Sequence, residues 1–427
     1  MKKMLLLSVV ASTMIMAGGD ISPVEKAMSN WKFSGQGVVY YQTQDTIPFL
    51  GTGDLFDQEM SFANAGLQLR ATNDDLMYGI GFGVELTGLG TLGLEEDVVF
   101  APMQNASHYT GFSPNNDLNG AYFSQLYLTY GFDNTSIKIG RQELPKALSP
   151  FAFSEDWNVF KNTFDALLVV NTDIQDTVLV GAWVRDANKN GYAAWDIVTG
   201  AGVPAGNMNE FDKLNDDAGV WMLTAQNKSF QDLTLTGSIY YAGDYAADDS
   251  LVILWADAQY KMNSINIGLQ GGTVTNDFLD AAGGDSAAFG AKVSGKLDIV
   301  NLCLSYSHVN DSAIGIFNVG GSGSALYTDM LAEEIIPFNP VWPSVMNFRN
   351  DNNKFVIRAN ADLFGGNLGG AYGYTDYSGG ESTNELDISY STNITENTTL
   401  AATYGYINSG PLDESGNVLR VVARYNF

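Results

Sequence analysis

Along most of this chain apolar and polar residues alternate one by one. Trp31, Phe33, Gly35, Gly37, Val39 and Tyr41 hold one phase, and Lys32, Ser34 and Gln36 the other. Ala63, Ala65, Leu67, Leu69 and Ala71 alternate with Asn64, Gln68 and Arg70, and Tyr78, Ile80, Phe82, Val84 and Leu86 with Gly79, Gly81, Gly83 and Glu85. The same pattern returns at Phe289–Leu297, Phe355–Leu363 and Leu386–Tyr390. Successive side chains of a strand point to opposite faces, so a period of two predicts strands with one greasy and one polar side. Helical spacing fits none of these stretches.

The connections alternate as well. Thr72–Asp75, Phe132–Asn134, Asn227–Asp232, Lys261–Ser264, Phe364–Gly366 and Asn393–Asn397 read as tight turns. Between them lie longer segments, such as 87–120, 186–217 and 310–352. Short turns at one end, long loops at the other and an even strand number characterise transmembrane barrels. The pattern predicts an all-β, antiparallel transmembrane β-barrel of about 18 strands, with 16 still open because the signal is weak between 160 and 260. In hydrocarbon an unpaired backbone group costs several kcal/mol, so such a sheet must close on itself. A barrel this wide cannot be filled by its own strand side chains, so water or a plug occupies the lumen.

Composition narrows the class further. The 427 residues hold 21 Lys+Arg against 48 Asp+Glu, a formal charge of −27, which argues against a nucleic-acid partner. A single cysteine, Cys303, rules out an internal disulfide and a cysteine-ligated metal centre. Residues 1–19 read as a signal peptide: Lys2 and Lys3, an uncharged apolar run Met4–Met16, then Ala17-Gly18-Gly19, with cleavage expected after Ala17 or Gly19. Residues 20–427 are then one barrel domain.

In Leu419–Phe427 every odd position is apolar or aromatic, and the chain stops on Phe427 in phase with that face. The inner phase carries Arg420, Val422, Arg424 and Asn426. A second marked stretch, Ile139-Gly140-Arg141-Gln142-Glu143-Leu144-Pro145, ends the fifth strand. On these two stretches the chain resembles Gram-negative outer-membrane porins, namely the OprD-like substrate-selective barrels and, more closely, the Campylobacter-type major outer membrane porins. The resemblance implies a location in the bacterial outer membrane, in contact with lipid and lipopolysaccharide. It implies a terminal strand whose Tyr425 and Phe427 serve membrane insertion, and a homotrimer. It also implies an inward constriction loop at about 143–162, carrying Glu143, Lys146, Glu155, Asp156, Trp157 and Lys161.

The inner phase collects a basic wall: Lys32, Arg70, Lys138, Lys292, Lys296, Arg358, Arg420 and Arg424. Closure would bring Lys32, Arg70, Arg420 and Arg424 together. Acids concentrate in the connections, among them Asp54, Asp57, Glu59, Glu95, Glu96, Asp97, Asp216, Asp217, Asp248, Asp280, Glu333, Glu334 and Asp413. A basic wall facing acids of the constriction loop sets up a transverse field that orients dipolar solutes, whereas the net charge favours cations at the mouth. The bland reading is that each inner charge is simply solvated. The acidic connections could also take a loop-bound divalent cation through oxygen ligands, although none has the spacing of a dedicated calcium loop; no cofactor is otherwise implied.

Enzyme chemistry finds little support. His108 lies in a long loop, and Ser307 and His308 are adjacent, so on a strand they face opposite sides. Glu385 and Asp387 share a face, where pore lining fits better than glycoside cleavage. Cys303 reads as a small inner filler beside Ser305. The expected function is a water-filled channel for passive diffusion of small hydrophilic solutes and ions, not an enzyme. The competing classes are a surface adhesin or structural barrel with a blocked lumen, and a soluble β-sandwich. A bulge near Gly140 would turn Arg141 inward.

Overall fold

The computed structural model describes residues 30–47, 51–106, 120–191, 207–246, 249–276, 284–310, 316–331, 351–410 and 414–427. The signal segment 1–19, His108 and the acids Asp248, Asp280, Glu333, Glu334 and Asp413 lie outside these residues. In chain order the strands are β1 (Trp31–Gln44), β2 (Ser61–Met77), β3 (Ile80–Gly90), β4 (Gly120–Phe132), β5 (Thr135–Gln142), β6 (Phe164–Asn171), β7 (Thr177–Ala187), β8 (Val220–Asn227) and β9 (Leu233–Ala246). They continue as β10 (Asp249–Met262), β11 (Ile265–Thr275), β12 (Ser286–Leu297), β13 (Val300–Val309), β14 (Asn352–Leu363), β15 (Gly366–Tyr377), β16 (Ser382–Asn393), β17 (Thr398–Ser409) and β18 (Glu414–Asn426).

Each strand pairs antiparallel with the next, and β18 pairs back onto β1 from Gln36↔Asn426 to Gln44↔Val418. The sheet is thus a closed barrel of eighteen strands, with only the two-residue segment Asp212–Lys213 added at the rim of β7. The count settles on 18 because β6 to β9 pair in unbroken sequence, with one register shift between Asp165 and Ala166, through the stretch where alternation is weakest. Closure leaves no edge strand, which a sheet in hydrocarbon requires.

Eight connections at one end are two to five residues long. At the other end lie 91–119, 143–163, 188–219 and 310–351, together with shorter ones such as 378–381. One expected turn is misplaced. Thr72–Asp75 is not a reversal: β2 runs through it with a register shift between Asn73 and Met77. There the Asn73 side chain accepts from Asp75 N at 3.0 Å, which satisfies the backbone locally and gives a turn-like composition inside a strand. The chain reverses at Tyr78 and Gly79, with φ of 54° and 80°, the mirror-image turn that matches strand twist.

The period of two sorts the faces. Phe33 is 77% exposed, Leu297 69% and Leu269 57%, and Leu67, Phe355 and Tyr425 share that outer surface. An apolar belt around a whole barrel is stable only in hydrocarbon. The inner phase of the same strands is polar toward the short-turn end. Toward the long-loop end it meets two apolar clusters. One joins Phe151, Phe164, Tyr240 and Trp255, and the other Tyr40, Phe62, Leu89, Met103 and Phe160.

Candidate functional site

The connection 143–163 crosses the lumen. At one end the Phe151 ring meets Tyr240 on β9 and Trp255 on β10 edge-on, at 5.6 and 5.4 Å. Farther along, the Asn158 carbonyl accepts from Arg424 Nη2 on β18 at 2.8 Å, and Phe160 packs over Gly66 on β2. Strands β9 and β10 stand half a turn of the barrel away from β18. The connection is therefore a chord and not a surface loop.

Amide side chains lock this chord to neighbouring connections. Gln104, fully buried, accepts from Phe160 N at 2.8 Å, donates to the Phe160 carbonyl at 2.8 Å and to Asn190 Oδ1 at 3.0 Å, and exchanges hydrogen bonds with Asn64 on β2. Asn188 accepts from Thr163 N at 2.6 Å and donates to the Met208 carbonyl at 2.7 Å. Neutral amides can satisfy buried backbone groups on both sides without carrying charge into the interior.

A second in-folded segment, 316–331, lies within the connection that the alternation marks only as a long loop, 310–352. It leaves the chord and follows the wall from β10 to β17. Tyr327 donates to Asp257 on β10, and Lys292 on β12 sits 4.1 Å over its ring. Thr328 and Ser307 on β13 share a hydrogen bond of 2.7 Å. Arg358 on β14 donates to the Tyr327 and Asp329 carbonyls, and Asp387 on β16 accepts from Leu331 N at 3.4 Å. Two backbone carbonyls need one fixed cation with forked donors, which is what Arg supplies.

The inner cations do not form one basic wall. Lys32 stands at the short-turn rim, paired with Asp74 at 2.5 Å. Arg70 Nη2 donates to Gln125 Oε1 at 3.0 Å, Gln125 donates to Glu143 at 3.1 Å, and Lys161 pairs with the same Glu143 at 3.2 Å. Ser124 donates to Glu85 at 2.7 Å, and Lys138 lies 3.8 Å over the Tyr127 ring. Strands β2 to β5 and the adjoining chord therefore carry interleaved charges, with Glu85 and Glu143 among Arg70, Lys138 and Lys161. Arg420 donates to Gln42 at 3.0 Å and stacks near Trp157 of the chord, and Arg424 also donates to Gln36 at 3.2 Å. Asp156 and Lys146 are exposed on the chord.

Below segment 316–331 opens a cavity of about 730 Å³ toward the short-turn end. Lys296, Arg358, Arg420 and Asp387 line it with hydroxyls and amides such as Asn266, Ser389 and Thr403. Cys303 also borders it, 3.6 Å from Ser305 Oγ. One expectation changes, and the phase left open at Arg141 is decided. Glu155 does not face the lumen but is buried (5% exposed), turned toward 316–331. Arg141 stays in the outer phase despite the positive φ of Gly140: its guanidinium pairs with Asp165 at 2.9 Å and covers Phe211. Ser307 and His308 take opposite faces, Ser307 toward Thr328 and His308 against the Phe289 ring.

Asp329 accepts from Ser324 N at 2.8 Å and pairs with Lys146 at 3.3 Å. Burial opposes its charge, but Lys146 and the Ser324 donors outweigh it and hold the carboxyl below its ordinary 3.8. A depressed carboxylate contributes its stabilisation above its unfolded value and loses it as pH falls through the lower folded value. Conductance should therefore stay constant from pH 7 to about pH 4 as far as this contact is concerned, and change only in stronger acid. In Asp329→Asn that acid step should disappear from bilayer recordings taken across the same range.

No protein-family model matches the chain, and no curated protein matches it in sequence. Solved structures do match. Pseudomonas aeruginosa OccK8 (OprE) superposes with a TM-score of 0.68 at 16% identity, over 93% of this chain and 98% of that one. The chain shares the fold of these barrels. Acinetobacter baumannii OccAB2 gives 0.67 at 16% identity, over 93% and 98%, and Pseudomonas aeruginosa OpdK with vanillate gives 0.66 at 13%, over 93% and 98%. At such identities the likeness speaks for the fold.

Proposed function

We propose that the protein is an outer-membrane channel through which small hydrophilic solutes and ions diffuse. The observation that carries this is the pairing of an apolar outer belt with a polar vestibule, narrowed by a chord that spans the lumen. A blocked structural barrel would have no use for charged side chains around a cavity of about 730 Å³. The solutes are ones that gain from both signs of charge. They pass Arg70, Lys138 and Lys161 interleaved with Glu85 and Glu143 on one wall, so both ends of a dipolar solute find an opposite charge along the path. The barrel with vanillate, an aromatic carboxylate, supports an organic anion as one such solute.

Planar-bilayer recording tests the reading: purified protein should give discrete conductance steps, and their absence at any protein concentration would end it. Reversal potentials in a salt gradient then test the wall. Glu143→Gln should shift the permeability ratio toward anions by about twofold or more, and Arg70→Gln with Lys138→Gln should shift it toward cations by a similar factor, because charges in a narrow pore act at close range. Equal ratios in all three proteins would remove these residues from the permeation path.

A further inference from the structure

The Glu155 carboxylate is buried among donors. Oε1 accepts from Asn318 Nδ2 at 2.8 Å and Gly323 N at 2.7 Å. Oε2 accepts from Trp157 Nε1 at 2.7 Å and Ser322 N at 3.2 Å. Three of these four donors belong to the segment 316–331. The segment adds contacts to the chord's backbone: Val319 N donates to the Phe151 carbonyl at 3.0 Å, and Asn318 Nδ2 to the Phe153 carbonyl at 2.9 Å. The approach is close enough that a Cβ at Gly321 would overlap the carboxylate, and one at Gly320 would overlap Asn162 and Phe164. No Lys or Arg pairs with Glu155 among the described residues, and three of the four hydrogen bonds that hold its carboxylate exist only while the two segments are docked.

We infer that Glu155 is a positioning residue for the channel: it clamps segment 316–331 onto the chord 143–163, and the clamped pair sets the width of the path. The inference rests on the channel reading. The chord spans the barrel from β9 and β10 to β18, and the segment is fastened to the wall by Arg358 and Tyr327. Glu155 is the buried carboxylate at the place where these two bodies meet. Lys146 and Asp329 form a second, more exposed tie between the same pair, and a partly solvated ion pair contributes little by comparison. When the carboxylate is lost, Ser322 N, Gly323 N and Trp157 Nε1 are left without this acceptor, and the segment moves away from the chord to reach water.

The test uses Glu155→Ala, Glu155→Gln and Gly321→Ala in the full chain. Glutamine keeps the volume but turns an N–H toward donors, and alanine at 321 pushes on the clamp from the other side. Heat-modifiable gel migration reports whether each barrel is folded. In folded protein, single-channel conductance and exclusion of neutral polyethylene glycols of graded size report the width of the path. Each single variant should raise conductance by roughly twofold or more and admit larger polymers. Gly321→Ala should add nothing to Glu155→Ala, because both act on one contact and removing the carboxylate makes room for the Cβ. Folded variants with wild-type conductance and polymer cut-off, or a double variant with additive effects, would overturn the inference. If Glu155→Ala fails to fold, Glu155→Gln and Gly321→Ala decide by the same criteria. A wild-type protein that does not conduct would instead refute the channel reading itself.

Discussion

Arginine in place of Leu269 is expected to destabilise the folded barrel by about 2–4 kcal/mol in lipid, the cost of a charge near the middle of a bilayer. Leu269 lies in the middle of β11 on the outer face and is 57% exposed. Its side chain has no inner partner to lose, so nothing but the surrounding solvent determines the effect. Ser389→Arg supplies the control. Ser389 lines the cavity on the inner face of β16 beside Asp387, where a cation meets water and an acid. That variant should fold as well as the wild type while altering conductance. Urea titration of the lipid-reconstituted barrels, followed by tryptophan fluorescence, compares the two. If both were tolerated equally, the outer belt would not be facing hydrocarbon.

The second large effect is at the seam. Gly35 and Phe427 exchange backbone hydrogen bonds at 2.8 and 3.0 Å, the last pair joining the two ends of the barrel. The Phe427 ring lies over Gly35, and a Cβ there would stand 2.5 Å from both the ring and the Gln68 carbonyl. Glycine is needed for that close approach and not for any special φ. Gly35→Val should cost on the order of 1–3 kcal/mol through overpacking, with a visible fall in the heat-modifiable folded fraction. Adding Phe427→Ala should return part of the loss, since the ring is free to leave whereas the Gln68 carbonyl is not. No recovery in the double variant would mean that the ring does not set the space above Gly35.

The difference between what could and could not be read from the chain follows the range of the physical signal. Lumen and lipid phases were legible at Lys292, Arg358 and Arg420 because a strand alternates its faces whatever its neighbours are. The reversal at Tyr78 was missed because Thr72–Asp75 has turn composition, and only the register with β3 shows that the strand passes through it. Glu155 looked like a lumen acid since it sits among charged residues of the chord; its donors, Asn318, Ser322 and Gly323, lie more than 160 positions away. Nothing in the run Val319–Ser324 signals a docking surface, as its backbone amides carry the contact and every residue has those.

From the order of residues alone came a closed, lipid-facing barrel: an alternating chain with one apolar face cannot bury that face in a small core, and hydrocarbon permits no open edge. Tertiary structure decided what occupies the hole. The chord, the second segment beside it and the mixture of acids and bases along β2 to β5 depend on contacts between connections far apart in the chain. Such contacts are set by hydrogen-bond satisfaction in three dimensions, which no local period encodes.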